Sequence, residues 1–167
     1  MEIRDERHGD EDAIHALTAE AFQPMPYSGG TEPAIIRALR ASGALTLSLV
    51  AVEDGAIVGH VAFSPVSIDG VQDGWFGLGP ISVRADRRRQ GIGRALIAEG
   101  LRRLAEDGAR GCVLIGDPAV YRGSGFASGR FRYAGLDPRL VQHVVLRGEA
   151  PSGEITFAPA FDVAAED

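Results

Sequence analysis

A single cysteine, Cys112, stands in 167 residues, so no intrachain disulfide can form, and its place in the apolar run CVLI points to a small buried thiol. Long apolar runs are also missing. The opening MEIRDERHGDEDAI is charged from its second residue, without the apolar centre of a signal peptide, and no stretch approaches the roughly 18 apolar residues of a membrane-spanning helix. The expected location is the cytoplasm, and no membrane is expected as a partner. Positive charge is outweighed: 17 Lys and Arg against 23 Asp and Glu leave a net charge of −6. That excludes a chain whose main work is coating nucleic acid, which needs a broad positive field. Repeats and low-complexity blocks are absent as well.

What is present is the composition of a folded protein. Hydrophobic residues make up 45% and charged residues 24%, values that argue against disorder. The chain is long enough to bury a core without disulfide or metal staples. One domain over residues 1–167 is expected, with its core at about 2–146 and late strands and a tail over 147–167, of which the closing AAED is dispensable. Ile3 opens a first strand. Helical spacing of Ile14, Leu17, Ala21 and Phe22 predicts a helix from Asp10 to Phe22, stopped by Pro24 and Pro26. After the loop QPMPYSGG, Thr31 is placed to cap a second helix that carries Ile35, Ile36 and Leu39 and ends near Gly43.

From Leu47 the texture changes to two β-branched runs joined by Asp54-Gly55, a dipeptide suited to a tight antiparallel hairpin. A further strand, WFGLGPISV, ends at Val83. A helix from Gly91 to Asp107 then carries Leu96, Ile97, Gly100, Leu101 and Leu104 on one face. The short run CVLIG closes a strand, helix, strand unit that requires a right-handed parallel crossover. The sheet is therefore mixed and the fold class α/β, with QHVVLR and EITFAPAF as late strands.

The stretch RRRQGIGRALIAEGLRRL, from Arg87 to Leu104, carries the chemistry. The first four N–H groups of a helix lack intrahelical partners, and its dipole adds about half a positive charge there. Gly91 and Gly93 let an anion approach the backbone, while Arg88, Arg89 and Arg94 add charge around it. A diphosphate suits that arrangement. The plainer alternative is a loop that ends in glycines before a solvated helix start. A Walker-type loop is excluded because Arg94-Ala95 replaces its Lys and Ser or Thr, and a dinucleotide fingerprint because Leu96 stands where its third glycine belongs.

Arg88-Arg89-Gln90-Gly91-Ile92-Gly93 follows the pattern Arg or Gln, two residues, Gly, one residue, Gly or Ala. It thereby resembles the GCN5-related N-acetyltransferases (GNAT), whose signature that pattern is. Gly79-Pro80-Ile81-Ser82-Val83 matches the family's pantetheine-binding strand, and Tyr121-Arg122-Gly123-Ser124-Gly125-Phe126 its Tyr, three residues, Gly-Phe element. The order of elements from Ile3 to Phe126 also follows the family. VAVEDGAIVGHVAFSPV, LGPISV and GDPAVYRGSGF look most like a bacterial subgroup of N-acetyltransferases whose substrates are mostly unassigned. Ala85 and Arg87 depart from the family's usual proline and aromatic, and Asp117-Pro118 replaces its frequent asparagine.

The resemblance implies a GNAT fold and transfer of the acetyl group of acetyl-coenzyme A to a primary amine of a small molecule or protein, by direct attack in a ternary complex. Arg88, Arg89, Gln90, Gly91, Ile92, Gly93 and Arg94 would hold the pyrophosphate, and Ile81, Ser82 and Val83 the pantetheine arm. Asp117 and Arg122, which flank the tyrosine, count among the cofactor contacts. Tyr121 would be the general acid, against the alternative of a packing tyrosine. The reaction calls for no metal. The family's late strands often help form dimers, which leaves a homodimer open.

Amine acetylation also needs a route for the amine's proton. WFGLGPISV offers no carboxylate or histidine for it, so Glu32 and His60, directly or through water, are the candidate bases. Each has a plain alternative: Glu32 as a first-turn carboxylate that complements the helix dipole, and His60 as a core histidine alternating with Val58 and Ala62. The competing function is a non-catalytic acyl-coenzyme A sensor or partner module. An intact tyrosine element favours the enzyme.

Overall fold

The computed structural model describes residues 1–25 and 28–163. The expectations placed on Pro26 as a helix stop, on part of the loop QPMPYSGG and on the tail AAED fall outside the described residues.

Asp54 and Gly55 both take positive φ, 50° and 77°, the pair of left-handed residues that a tight hairpin turn needs to match the twist of its strands. They join β2 (Leu47–Glu53) to β3 (Ala56–Pro65). Antiparallel register brings Leu47 opposite Phe63 and Val50 opposite His60. β1 (Glu2–Asp5) pairs antiparallel with β2 at the sheet edge.

Alternation along these strands supplies two apolar faces. On one, Leu49, Ala51, Val61 and Phe63 meet Ile92, Leu96, Ile97 and Leu104 of α3 (Ile92–Glu106). A Cβ on Gly100 would strike the Phe63 ring, so a glycine at that point sets how closely α3 lies on the sheet. On the other face, Val50 packs with Ile14 of α1 (Glu11–Phe22) and Ile36 of α2 (Glu32–Ser42). Burying one such side chain contributes about 1.5–3 kcal/mol. Cys112 is buried in the α3-side cluster, and burial pushes its thiol well above the usual range.

The two-residue β4 (Ser67–Ile68) precedes β5 (Trp75–Val83), which is the strand WFGLGPISV. β5 lies antiparallel to β3 and parallel to β6 (Gly111–Ile115), so the sheet is mixed. After the single-turn α4 (Pro118–Tyr121) come β7 (Ala127–Ser128), β8 (Phe131–Arg132), β9 (Val141–Val145) and β10 (Gly153–Thr156). The main sheet runs β1-β2-β3-β5-β6-β9-β7, and a second, of three strands, runs β4-β10-β8.

Two local expectations are corrected. Thr31 precedes α2, yet its side chain makes no capping hydrogen bond and its backbone is already helical, at φ −90° and ψ −15°. At the other end, Gly43 closes the helix in the left-handed region as expected. EITFAPAF is a strand only through Thr156. Pro159 has no N–H to give a ladder, and Pro159–Asp162 forms a 3-10 turn whose Ala160 packs with Ile35 and Leu39 of α2.

Candidate active site

β5 and β6 pair only from Trp75 opposite Gly111 to Gly77 opposite Val113. Beyond that point β6 continues with β9 alone, through Leu114 opposite Gln142 and Ile115 opposite Val141, and β5 continues with β3 alone. The sheet therefore opens between them. A bulge on β5, with Gly79 and Pro80 facing the single Ala62 of β3, sets Leu78 opposite Phe63 and Ile81 opposite Val61, which bends β5 where it leaves β6.

Arg84 N–H donates to Val58 O at 2.8 Å on the β3 side. Strand N–H groups alternate sides, so Ser82 N–H also faces β3, and those of Ile81 and Val83 face the open edge. Their side chains reach the same region from above: a Cβ on Gly93 would lie 3.7 Å from Val83 Cγ2 and 4.0 Å from Ile81 Cδ1. Ser82 points to the opposite face, 3% exposed, with its hydroxyl unpartnered among the described residues.

The open edge leads into the first turn of α3. Gly91 occupies the N-cap position at φ 85°, Arg89 is also left-handed at φ 62°, and no acidic side chain lies in the first helical turn. Among the described residues nothing accepts from the N–H groups of Gly91, Ile92, Gly93 or Arg94, and the first regular bond is Ala95 N–H to Gly91 O. Successive free N–H groups around a left-handed residue form a concave anion site.

The arginines nearby divide into two sets. Arg84 holds Asp86, at 2.6 Å from Nε, and Arg87 holds Glu53 at the end of β2, at 3.3 Å. Arg88, expected beside the anion, donates from Nη2 to Ala21 O of α1 at 3.1 Å. Gln90 donates to Asp86 O at 3.5 Å. Arg89, Arg94 and Arg122 have no hydrogen bond or ion pair with any described residue, which leaves their guanidinium groups available to a ligand.

Asp117 caps α4, its carboxylate accepting from Ala119 N–H at 2.9 Å, so its observed task is to shape the turn that carries Tyr121. The Tyr121 ring lies over Gly116, where a Cβ would come within 2.5 Å of Cε2, and meets Phe126 edge to face at 6.4 Å between centroids. Gly116 is held in turn by Gln142, 1% exposed, whose Nε2 donates to Gly116 O at 2.8 Å. Sequence reasoning missed Gln142. Only the pairing of β9 with β6 brings it there, and no spacing along the chain records that pairing.

The two candidate bases lie in different surroundings. Glu32 accepts from Ser28 Oγ at 2.5 Å at the start of α2. His60 is 0% exposed and ends a hydrogen-bonded chain, running inward from the half-buried Arg40, that the sequence did not reveal. Arg40 donates to both oxygens of Glu6, at 2.8 and 2.9 Å, Ser48 Oγ lies 2.8 Å from Glu6 Oε1, and His60 Nε2 lies 2.8 Å from Ser48 Oγ. Burial would raise the Glu6 carboxyl, but hydrogen bonds from Arg40 and Ser48 hold it below its usual range. An ionised carboxylate only accepts, so the one Ser48 proton goes to Glu6 and His60 Nε2–H donates to Ser48. His60 Nδ1 is then a bare acceptor, without a partner among the described residues.

Burial pushes the His60 imidazole from 6.5 down to about 4. Between those values the unfolded chain binds a proton that the folded chain refuses, so stability falls as pH is lowered through that window. From pH 7 to 5 the loss assigned to His60 is about 2 kcal/mol. His60→Gln keeps an N–H donor for Ser48 but does not titrate, and it should flatten that slope in urea unfolding at the two pH values. An unchanged slope would mean that His60 is not the titrating group.

A cleft of about 650 Å³ lies between the C-terminal end of α1 and the segment after β5, lined by Leu17, Glu20, Gln23, Arg84 and Asp86 among others. It adjoins the Arg88 to Ala21 contact and so borders the anion turn. The sequence offered no signal for it, since its two walls lie at least sixty positions apart in the chain. Among the described residues no helix is long and apolar enough to cross a membrane.

Comparison with known proteins agrees with this geometry. The model of the Acetyltransferase (GNAT) family matches residues 12–128. An uncharacterized N-acetyltransferase of Escherichia coli K12, YhbS, is 41% identical over 127 residues, covering 75% of this chain and 73% of that protein. A crystal structure of a GNAT family acetyltransferase from Brucella melitensis, in complex with acetyl-CoA, superposes with a TM-score of 0.88 at 46% identity, over 96% of this chain and 97% of that one. The Escherichia coli YhbS structure in complex with CoA gives a TM-score of 0.88 at 32% identity, over 99% and 95% of the two chains. A sheet opened beside a cationic helix start, a tyrosine turn across the opening and these matches lead to one conclusion: the chain belongs to the GNAT family of acetyltransferases.

Proposed function

We propose that this chain is an acetyl-CoA-dependent N-acetyltransferase that acylates a primary amine of a small molecule or protein in a ternary complex. The observation that carries the reading is the continuity of the open β5 edge with the unpartnered N–H groups of Gly91 to Arg94. A thioester on a long arm ending in a diphosphate matches that path: amide-rich pantetheine along Ile81 and Val83, diphosphate at the helix start beside Arg89 and Arg94. The binding of acetyl-CoA and CoA by the Brucella melitensis and Escherichia coli relatives supports this fit.

In this reading the neutral amine attacks the thioester carbonyl, an N–C bond forms, the C–S bond breaks, and Tyr121 gives its hydroxyl proton to the departing thiolate. With His60 enclosed, the amine proton leaves through water, directly or on to Glu32, whose carboxylate accepts from Ser28 and keeps further acceptor sites. The lack of any carboxylate or histidine on β5 itself favours, as a second reading, a module that binds acyl-CoA without transferring it.

A panel of polyamines, amino acid amides and peptides with free N-terminal amines, incubated with acetyl-CoA, separates the two. The enzyme releases free thiol in proportion to acetylated amine found by mass spectrometry. The module releases none with any amine while still binding CoA. The chain contains no lysine, so self-acetylation at side-chain amines adds no background.

A further inference from the structure

Gly123 lies in the 3-10 turn Arg122–Ser124 that follows Tyr121, with no positive φ. The backbone there does not ask for glycine, in contrast to Gly125, which sits at φ 94°. What asks for it is one neighbour. A Cβ at this position would overlap Nη2 of Arg94 and lie 3.0 Å from its Cζ and 3.5 Å from its Nε, and these are the three nearest atoms. The Arg94 guanidinium thus occupies the volume a side chain on residue 123 would fill.

Arg94 is badly placed for any purpose internal to the fold. A cation in the first turn of a helix opposes the dipole, no acidic residue shares that turn, and the side chain has no hydrogen bond or ion pair among the described residues. A guanidinium kept in that position without a protein partner is held for an anion that arrives from outside.

We infer that Gly123 is the seat of the Arg94 guanidinium, a positioning residue that fixes it against the tyrosine turn and so sets the affinity of the anion site. This rests on the function proposed above. A long arginine side chain loses rotamer freedom when it binds, and holding it beforehand removes part of that cost. The seat also joins the two halves of the site: the first turn of α3 and the turn carrying Tyr121 touch through this pair.

Gly123→Ala isolates the inference, because the added methyl meets only the far end of a flexible side chain and both residues are exposed. Calorimetry with CoA on wild type, Gly123→Ala, Arg94→Ala and the double variant is the test. Gly123→Ala is expected to weaken CoA about tenfold, and Arg94→Ala about tenfold to a hundredfold, the range of a charge-assisted contact. The double variant should match Arg94→Ala, since the seat has nothing left to hold. KM for acetyl-CoA should rise in Gly123→Ala with no proportionate loss of kcat, and its melting temperature should not fall.

Full affinity in Gly123→Ala, or in Arg94→Ala, overturns the inference. So does a Gly123→Ala loss that persists undiminished on the Arg94→Ala background, which would assign it to the turn itself. Wild type that fails to bind CoA overturns the proposed function together with this inference, whereas wild-type binding with an insensitive Gly123→Ala overturns the inference alone.

Discussion

Tyr121→Phe is expected to lower turnover by about a hundredfold to ten-thousandfold while leaving CoA affinity close to wild type, the range that a positioned general acid contributes. The structure keeps the packing of the ring in this substitution. The ring packs over Gly116, edge-on to Phe126 and against the α3-side core, and phenylalanine retains all of those contacts. What is lost is the hydroxyl, whose proposed task is to give a proton to the departing thiolate. The anion turn and the open β5 edge lie on other elements and are untouched. Single-turnover kinetics with an accepted amine separates the chemical step from product release. A wild-type single-turnover rate would make Tyr121 a packing residue, with water as the donor. A joint collapse of rate and CoA affinity would make the hydroxyl a structural anchor.

Gly91→Asp is expected to weaken CoA about tenfold to a hundredfold with no more than about 1 kcal/mol lost in stability. A Cβ at this position meets nothing within 4 Å, so the cost is conformational. At φ 85° a non-glycine residue costs roughly 1–2 kcal/mol, least for Asp and Asn. Against that, an aspartate at the N-cap of α3 accepts from the helix's own free N–H groups, worth about 1 kcal/mol. The variant would carry its own anion in the place proposed for the diphosphate, and its charge would repel the ligand. Calorimetry with CoA, beside a melting curve, checks both parts. Undiminished affinity in a folded variant would remove the diphosphate from this turn.

The elements legible in the sequence were those whose cause is local. The Asp54-Gly55 hairpin, β5 over Trp75–Val83 and the apolar stripe of α3 follow from turn chemistry and periodicity, and all three are present. The motif from Arg88 to Gly93 was equally readable, because a glycine needed at positive φ and a helix start are both written in adjacent residues. Local reasoning failed where a distant partner decides. Thr31 is not needed as a cap, and FAPAF turns under α2 because Ala158 and Ala160 find an apolar seat beside Ile35 and Leu39.

The assignment of the arginines shows the division most clearly. By sequence, Arg88, Arg89 and Arg94 were equivalent cations around an anion. Tertiary structure gives Arg88 to the carbonyl of Ala21 on α1 and leaves Arg94 over Gly123. His60 likewise read as base or core, and the answer came from Ser48 and Glu6 on neighbouring strands. The sequence by itself determined the local backbone: which segments are helix or strand, where the turn that can take an anion lies, and the family to which it belongs. Only the tertiary structure decided which charges stay free. A guanidinium is engaged by whichever partner comes within hydrogen-bonding distance, and those partners, Ala21 for Arg88 and Glu53 for Arg87, are set by the packing of elements remote from each other in the chain.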